Sequence, residues 1–473
     1  MSQSELVFVI PTYRLRDVCE TVATYNENFW NNGHSPRIIV FDDSSVANHE
    51  KYYPLLEKTR TWSDVFYVGP KEKEAFSHLL HKRLRDRKLE AAVRNLFRPS
   101  YGGNRNFALI YTLGSHVVSA DDDMRPHGLI EDSPESLGAD EISRGKLLKT
   151  TVNGYTRRPF DILSSFGDVL GKKVADVPEN FATGELVSDT AMDLETNANL
   201  GLVRENSLIL RKGKVARSAT VKMAQTFRSG TSDIDALYFV ELFLDDADQT
   251  NLDRVNDVYV LVNFRPALTN RNWRMDCGVA GYDNSVGLPP FFPTRLRFED
   301  YIYRLWIQQP GIVAAHVDAA QTHIKNNYMR HPLPFEVFNE EVANLLKRKI
   351  KASLQRVDDL GIEFGYEGEV TAEDSEQILD RITAIHHRTL AAAGDTANEE
   401  RRHALERFAC SLEKAFYGFE ADFFQQNLSR IVDDVIGDIR SALELWPTLV
   451  EICYFRKQSR ELPQTRVANQ KKK

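Results

Sequence analysis

The chain has 473 residues, 42% hydrophobic and 27% charged, with a formal net charge of −8. That is long enough for more than one domain, and ordinary for a globular chain. The acidic balance argues against a dedicated nucleic-acid binder, no run reaches the ~20 apolar residues of a membrane span, and MSQSELVFVIPTY lacks the basic and long apolar regions of a signal peptide. Four cysteines, Cys19, Cys277, Cys410 and Cys453, lie far apart, which leaves no close metal pair and no disulfide framework. A reducing cytoplasm is the expected location, and any membrane contact would be peripheral, at the inner face.

LVFVI at 6–10 is a compact apolar run stopped by Pro11, the pattern of a buried strand. Asp17 to Trp30 predicts a helix with Val18, Val22, Tyr25 and Phe29 on one side. RIIVF at 37–41 is a second strand, ending at Asp42 and Asp43, and Val65 to Val68 a third. Gly102 to Leu113 predicts a helix, and HVV at 116–118 a short strand that feeds Asp121, Asp122 and Asp123. This strand–helix alternation predicts an α/β layer with a mostly parallel sheet flanked by helices. In such sheets ligands sit outside the carboxyl ends of the strands, where both acidic groups fall. The region 127–260 is less regular. From 336 to 455 the pattern turns helical, with a break at AAAGDTANEE (391–400), giving a C-terminal domain or extension that could pack on the first domain, oligomerise or dock a partner. Residues 456–473 are strongly basic and read as a flexible tail able to touch an anionic membrane surface.

Three adjacent carboxylates repel, and persist on a wet loop or where a cation offsets them. Hard oxygen ligands suit Mg²⁺ or Mn²⁺. In an extended backbone Asp121 and Asp123 share a side and Asp122 faces away. In GGNRNFALI (102–110), Arg105 could reach a phosphate or brace the acidic loop, and Asn106 could cap the helix or bind a ribose. The Gly-Lys-Ser/Thr of a Walker loop is absent. Taken alone, Glu299–Asp300 reads as the charged start of a helix, and THIKNNYMRH carries His323, Lys325 and His331, with His316 just before it.

IPTYRL (10–15), FDDSS (41–45), GGNRN (102–106) and SADDDMRP (119–126), followed by FED (298–300) and TH (322–323), resemble the successive signatures of nucleotide-sugar-dependent glycosyltransferases of the GT-A fold, family 2 type, with some similarity to galactofuranosyltransferases. The resemblance covers roughly residues 5–330 and implies a Rossmann-like domain over 1–335. It implies that Thr12, Arg14, Asp42, Asp43, Arg105, Asn106, Asp121 and Asp122 bind a nucleoside-diphosphate sugar, with uridine the expected nucleoside. It further implies that Asp121, Asp123 and His323 hold the cation, that Asp300 is the base of an inverting displacement, and that Glu299 meets the acceptor. The acceptor would be a glycan, as in surface polysaccharide synthesis, or another hydroxyl-bearing molecule. A phosphohydrolase fits less well, since Arg125 falls where its motif needs Thr or Val. A retaining transferase and a non-catalytic nucleotide-sugar-binding scaffold are the remaining alternatives.

Overall fold

The computed structural model describes residues 5–84, 87–131, 147–150, 155–189, 208–211, 213–231, 258–261, 264–270, 276–292, 296, 299–300, 303, 311–324, 333–351, 354–358, 361–364, 366, 369–458 and 462–467. Four strands form a parallel block: β1 (Leu6–Thr12), β2 (Arg37–Asp42), β3 (Val65–Val68) and β4 (Ser115–Ser119). Their order across the sheet is β3-β2-β1-β4, with β1 paired in parallel to both β2 and β4. Val7 to Ile10 and Ile38 to Phe41 are buried without alternation, as strands covered on both faces must be. Helix α1 (Leu15–Asn31) covers one stretch with Leu15, Val18, Val22, Tyr25 and Phe29, spaced three and four apart. Helices α2 (Val46–Lys58), α3 (Pro70–Leu84), α4 (Arg87–Leu96) and α5 (Tyr101–Tyr111) complete the crossovers.

Beyond β4 the sheet is mixed, so the expected mostly parallel arrangement holds for the first block and not throughout. β4 pairs antiparallel with β6 (Ala280–Asn284), and β6 antiparallel with β5 (Thr220–Thr231). β5 then runs parallel to β7 (Ile312–His323). At the end of β7, Thr322 and His323 pair antiparallel with Arg125 and Met124, which sets the histidine beside the acidic loop. Gly230 on β5 makes this approach possible: it has φ +95°, and an added Cβ would lie 2.1 Å from the His323 carbonyl oxygen.

The C-terminal region contains α6 (Pro334–Lys351), α7 (Ala372–Asp395), α8 (Glu399–Ala415) and the 38-residue α9 (Ala421–Gln458). An antiparallel strand pair, Leu354–Asp358 with Gly361–Phe364, interrupts the helices. Trp446 on α9 is buried, donates from Nε1 to the Leu288 carbonyl at 2.7 Å, and packs on Phe97. Its core is continuous with that of the α/β layer. The basic segment expected to be a flexible tail is different in its described part. Residues Thr465–Arg466 form β8, antiparallel to β3, with Thr465 opposite Tyr67. Leu462 and Val467 are buried, and Val467 N donates to Val65 O at 2.9 Å. Net positive charge did not prevent docking because apolar residues at 462 and 467 bury and the strand supplies hydrogen bonds to an open sheet edge. Among the described residues, no helix is long and apolar enough to cross a membrane.

Candidate functional site

Strand order reverses between β1 and β4, and the carboxyl ends of these strands meet there. Asp122 is the hub of the acidic loop. Its carboxylate accepts from Thr12 Oγ1 and from the Arg14 guanidinium, while its carbonyl accepts from Thr21 Oγ1. The Arg14 backbone N–H donates to Thr12 Oγ1 at 2.8 Å, so the turn after β1 is fixed to the same group. Arg14 Nη2 also reaches Asp123 Oδ2 at 2.6 Å. His323 Nε2 lies 3.4 Å from the same Asp123 oxygen, and Ile324 N donates to Asp123 O at 2.9 Å. The loop therefore binds β1, α1 and β7 together at one point.

Burial raises the Asp122 carboxyl to about 6, helped by the adjacent Asp123 and opposed by Arg14 and Thr12. Burial also opposes ionisation of Asp123, but His323 and Arg14 outweigh it and hold that carboxyl well below its usual range. A raised acid stabilises the fold below its unfolded pKa of ~3.9 and loses that contribution as pH rises through the folded value. In metal-free buffer, Asp122→Asn should therefore flatten the melting temperature against pH between about 4 and 6, relative to the parent. Parallel curves across that window would contradict the assignment. Asp123 acts with the opposite sign, losing its contribution as pH falls below ~4.

Asp121 is the open member of the triplet, its side chain 37% exposed. Arg105 on α5 braces it, with Nη2 3.0 Å from Asp121 Oδ1 and Nε 3.2 Å from Glu299 Oε1. The buried Arg105 is thus committed to carboxylates inside the protein. Glu299 is buried too, and its carboxyl is raised by burial against the pull of Arg105. Glu299 thus braces Arg105 from behind Asp121. Asp300, its neighbour, is partly exposed.

The other acidic pair divides in the same way. Asp42 is fully buried and accepts from Ser44 N, Ser44 Oγ and Tyr67 OH at 2.8, 2.7 and 2.6 Å. These bonds tie the β2 turn together. Asp43 pairs with Lys73 and accepts from Ser100 N at 3.2 Å. Burial raises the Asp43 carboxyl and lowers the Lys73 ammonium, each opposed by the other's charge. Lys73 Nζ also donates to Asn104 Oδ1, and Asn104 Nδ2 donates to the carbonyls of Thr12 and Phe41. Asn106 is fully buried and joins Leu96 O, Phe291 O and Phe291 N. That makes it an internal tie between α4 and the 291 loop.

His316 is buried against Gln225, while His331 and Lys325 lie outside the described residues. Sequence reasoning missed Thr21, Lys73, Asn104 and Asp276. Asn104 stood one position before the Arg-Asn pair, but Asp276 gave no local signal. Gly278 is pinched between two acids: an added Cβ would lie 3.2 Å from Asp121 Oδ2 and 3.3 Å from Asp276 Oδ1. Arg228 balances Asp276 at 3.0 Å.

The donor set Asp121, Asp123 and His323 suits a hard divalent cation, and the Asp123–His323 contact places two of the three donors side by side. Among the described residues no group of three or more such side chains is already drawn together, and Arg14 shares Asp123. Comparison of the chain with protein-family models finds no match, and neither does a search of curated proteins.

Proposed function

We propose that the protein is a metal-dependent glycosyltransferase of GT-A type, moving a sugar from a nucleoside-diphosphate sugar to an acceptor hydroxyl with inversion. The observation that carries this reading is the gathering of Thr12, Arg14, the aspartate loop and His323 where the parallel strand order reverses. Asp43, less deeply buried than Asp42, is the acid we assign to the nucleoside, and uridine remains the expected base. Asp121, Asp123 and His323 are the residues that would hold Mn²⁺ or Mg²⁺. Such an ion neutralises charge on a departing diphosphate.

The protein's own groups then have distinct tasks. Arg14 and Thr12 fix the loop that faces the diphosphate. Arg105 and Glu299 hold Asp121 from behind. Asp300 takes the proton of the acceptor hydroxyl as that oxygen bonds to the anomeric carbon, and the bond to the diphosphate oxygen breaks with its electron pair leaving on the nucleotide. The acceptor class is a glycan or another hydroxyl-bearing molecule, in keeping with surface polysaccharide synthesis at the cytoplasmic side of a membrane.

A thermal-shift screen of nucleotide sugars with Mn²⁺ tests the reading directly. One donor should raise the melting temperature only when the metal is present. Asp121→Asn and Asp123→Asn should each weaken that donor about tenfold or more by calorimetry, the scale of one lost charge-assisted contact. Unchanged binding in both variants, or no response to any donor, would count against the proposal.

A further inference from the structure

At the opposite pole of the sheet, where β1, β2 and β3 begin, a cleft of about 660 Å³ opens. That size falls within the roughly 300–1,000 Å³ of small-ligand sites. Glu5, Arg37, Trp62, Asp64 and Phe66 line it together with Leu462, Gln464 and Arg466 from the docked C-terminal segment. The docked C-terminal segment thus supplies part of the wall.

We infer that this cleft binds a neutral saccharide chain. Its polar groups are set before a ligand arrives: Arg37 lies 4.5 Å above the Phe66 ring and bonds Gln464, and Arg466 pairs with Asp64 at 2.5 Å. Flat guanidinium, carboxylate and amide groups fixed in this way present paired donors and acceptors, which match neighbouring hydroxyls. Trp62 adds an apolar face, and Trp30, 51% exposed, stacks on it at 5.1 Å with an interplanar angle of 5°. A sugar ring offers both counterparts, hydroxyls at its edge and C–H groups on its faces. Arg37 and Arg466 oppose Glu5 and Asp64 one for one, so the lining carries no net charge to draw an ion of either sign.

The pole lies the length of a seven-residue strand, roughly 20 Å, from the aspartate loop. A glycan held there would be anchored away from the reacting end. The inference does not depend on the transferase reading, because it concerns other residues at the other end of the sheet.

Calorimetry and tryptophan fluorescence on the full chain with maltopentaose, cellopentaose and a galactan pentasaccharide test it, with inorganic phosphate and spermine as ionic probes. At least one pentasaccharide should bind at one site and quench fluorescence. Trp62→Ala should weaken it at least tenfold. Should that variant fail to fold, Gln464→Ala carries the same expectation. Absence of pentasaccharide binding, equal affinity in the folded variants, or tighter binding of phosphate or spermine overturns the inference. Nucleotide-sugar binding in the same preparations reports on the aspartate loop separately, so either idea can fail alone.

Discussion

Asp300→Asn should lower the turnover of sugar transfer by about 10²–10⁴-fold, the usual worth of a positioned general base. Of the adjacent pair, Glu299 is buried and bound by Arg105, whereas Asp300 remains partly exposed. Asparagine keeps the shape of the side chain and cannot take up the acceptor proton. In the proposed mechanism donor binding rests on the loop after β4, so it should survive within a few fold. Single-turnover product analysis beside donor calorimetry separates these effects. Turnover within tenfold of the parent would move the base elsewhere and reopen the retaining mechanism.

The second large effect is on stability. Arg105→Met should cost about 3–5 kcal/mol, because it leaves the buried Glu299 carboxylate without its cation. The sign of its pH dependence follows from Glu299, whose carboxyl burial already raises. Without Arg105 it rises further, so the variant is least impaired below the unfolded pKa of ~4.3 and loses more as pH climbs through the folded value. Urea midpoints at pH 5 and pH 8 measure the difference, and Arg105→Met with Glu299→Gln should recover part of the loss. A deficit below about 1 kcal/mol with no pH dependence would mean that the ion pair is dispensable.

The parallel block was legible because its strands are short apolar runs closed by acids or proline. LVFVI, RIIVF, Val65–Val68 and HVV all became strands within a residue or two of their expected limits. α1 followed because its apolar spacing matches one covered face, and α5, buried all round from Gly102 to Tyr111, because it is an unbroken run after the glycines. β5, β6 and β7 were not legible. Like β1 and β2 they are buried on both faces, but residues such as Gln225, Thr226, His316 and Gln321 break up their apolar runs, and their partners come from distant parts of the chain. The pair at 354–364 escaped notice inside a helical stretch.

At the site, residue type was legible and orientation was not. His323 does meet Asp123, but Asp42, Glu299 and Asn106 turn inward to bonds made by Ser44, Tyr67, Arg105 and Phe291. A short motif records which residue is needed at a position, not which way it points. That choice depended on groups as far away as β3 and the 291 loop.

The late arrival of β8 has a consequence for synthesis. Its partner edge on β3 emerges about 400 residues before Thr465, and ribosomes add some 5–20 residues per second. The edge of β3 therefore stays open for roughly 20–80 s on each nascent chain. During that interval an unpaired, largely apolar strand is available to any neighbouring chain. Asp64 and Glu72, which later hold Arg466 and Thr465, flank the open edge with negative charge in the meantime. Crowded polysomes should accordingly be the setting in which this protein is most prone to aggregate.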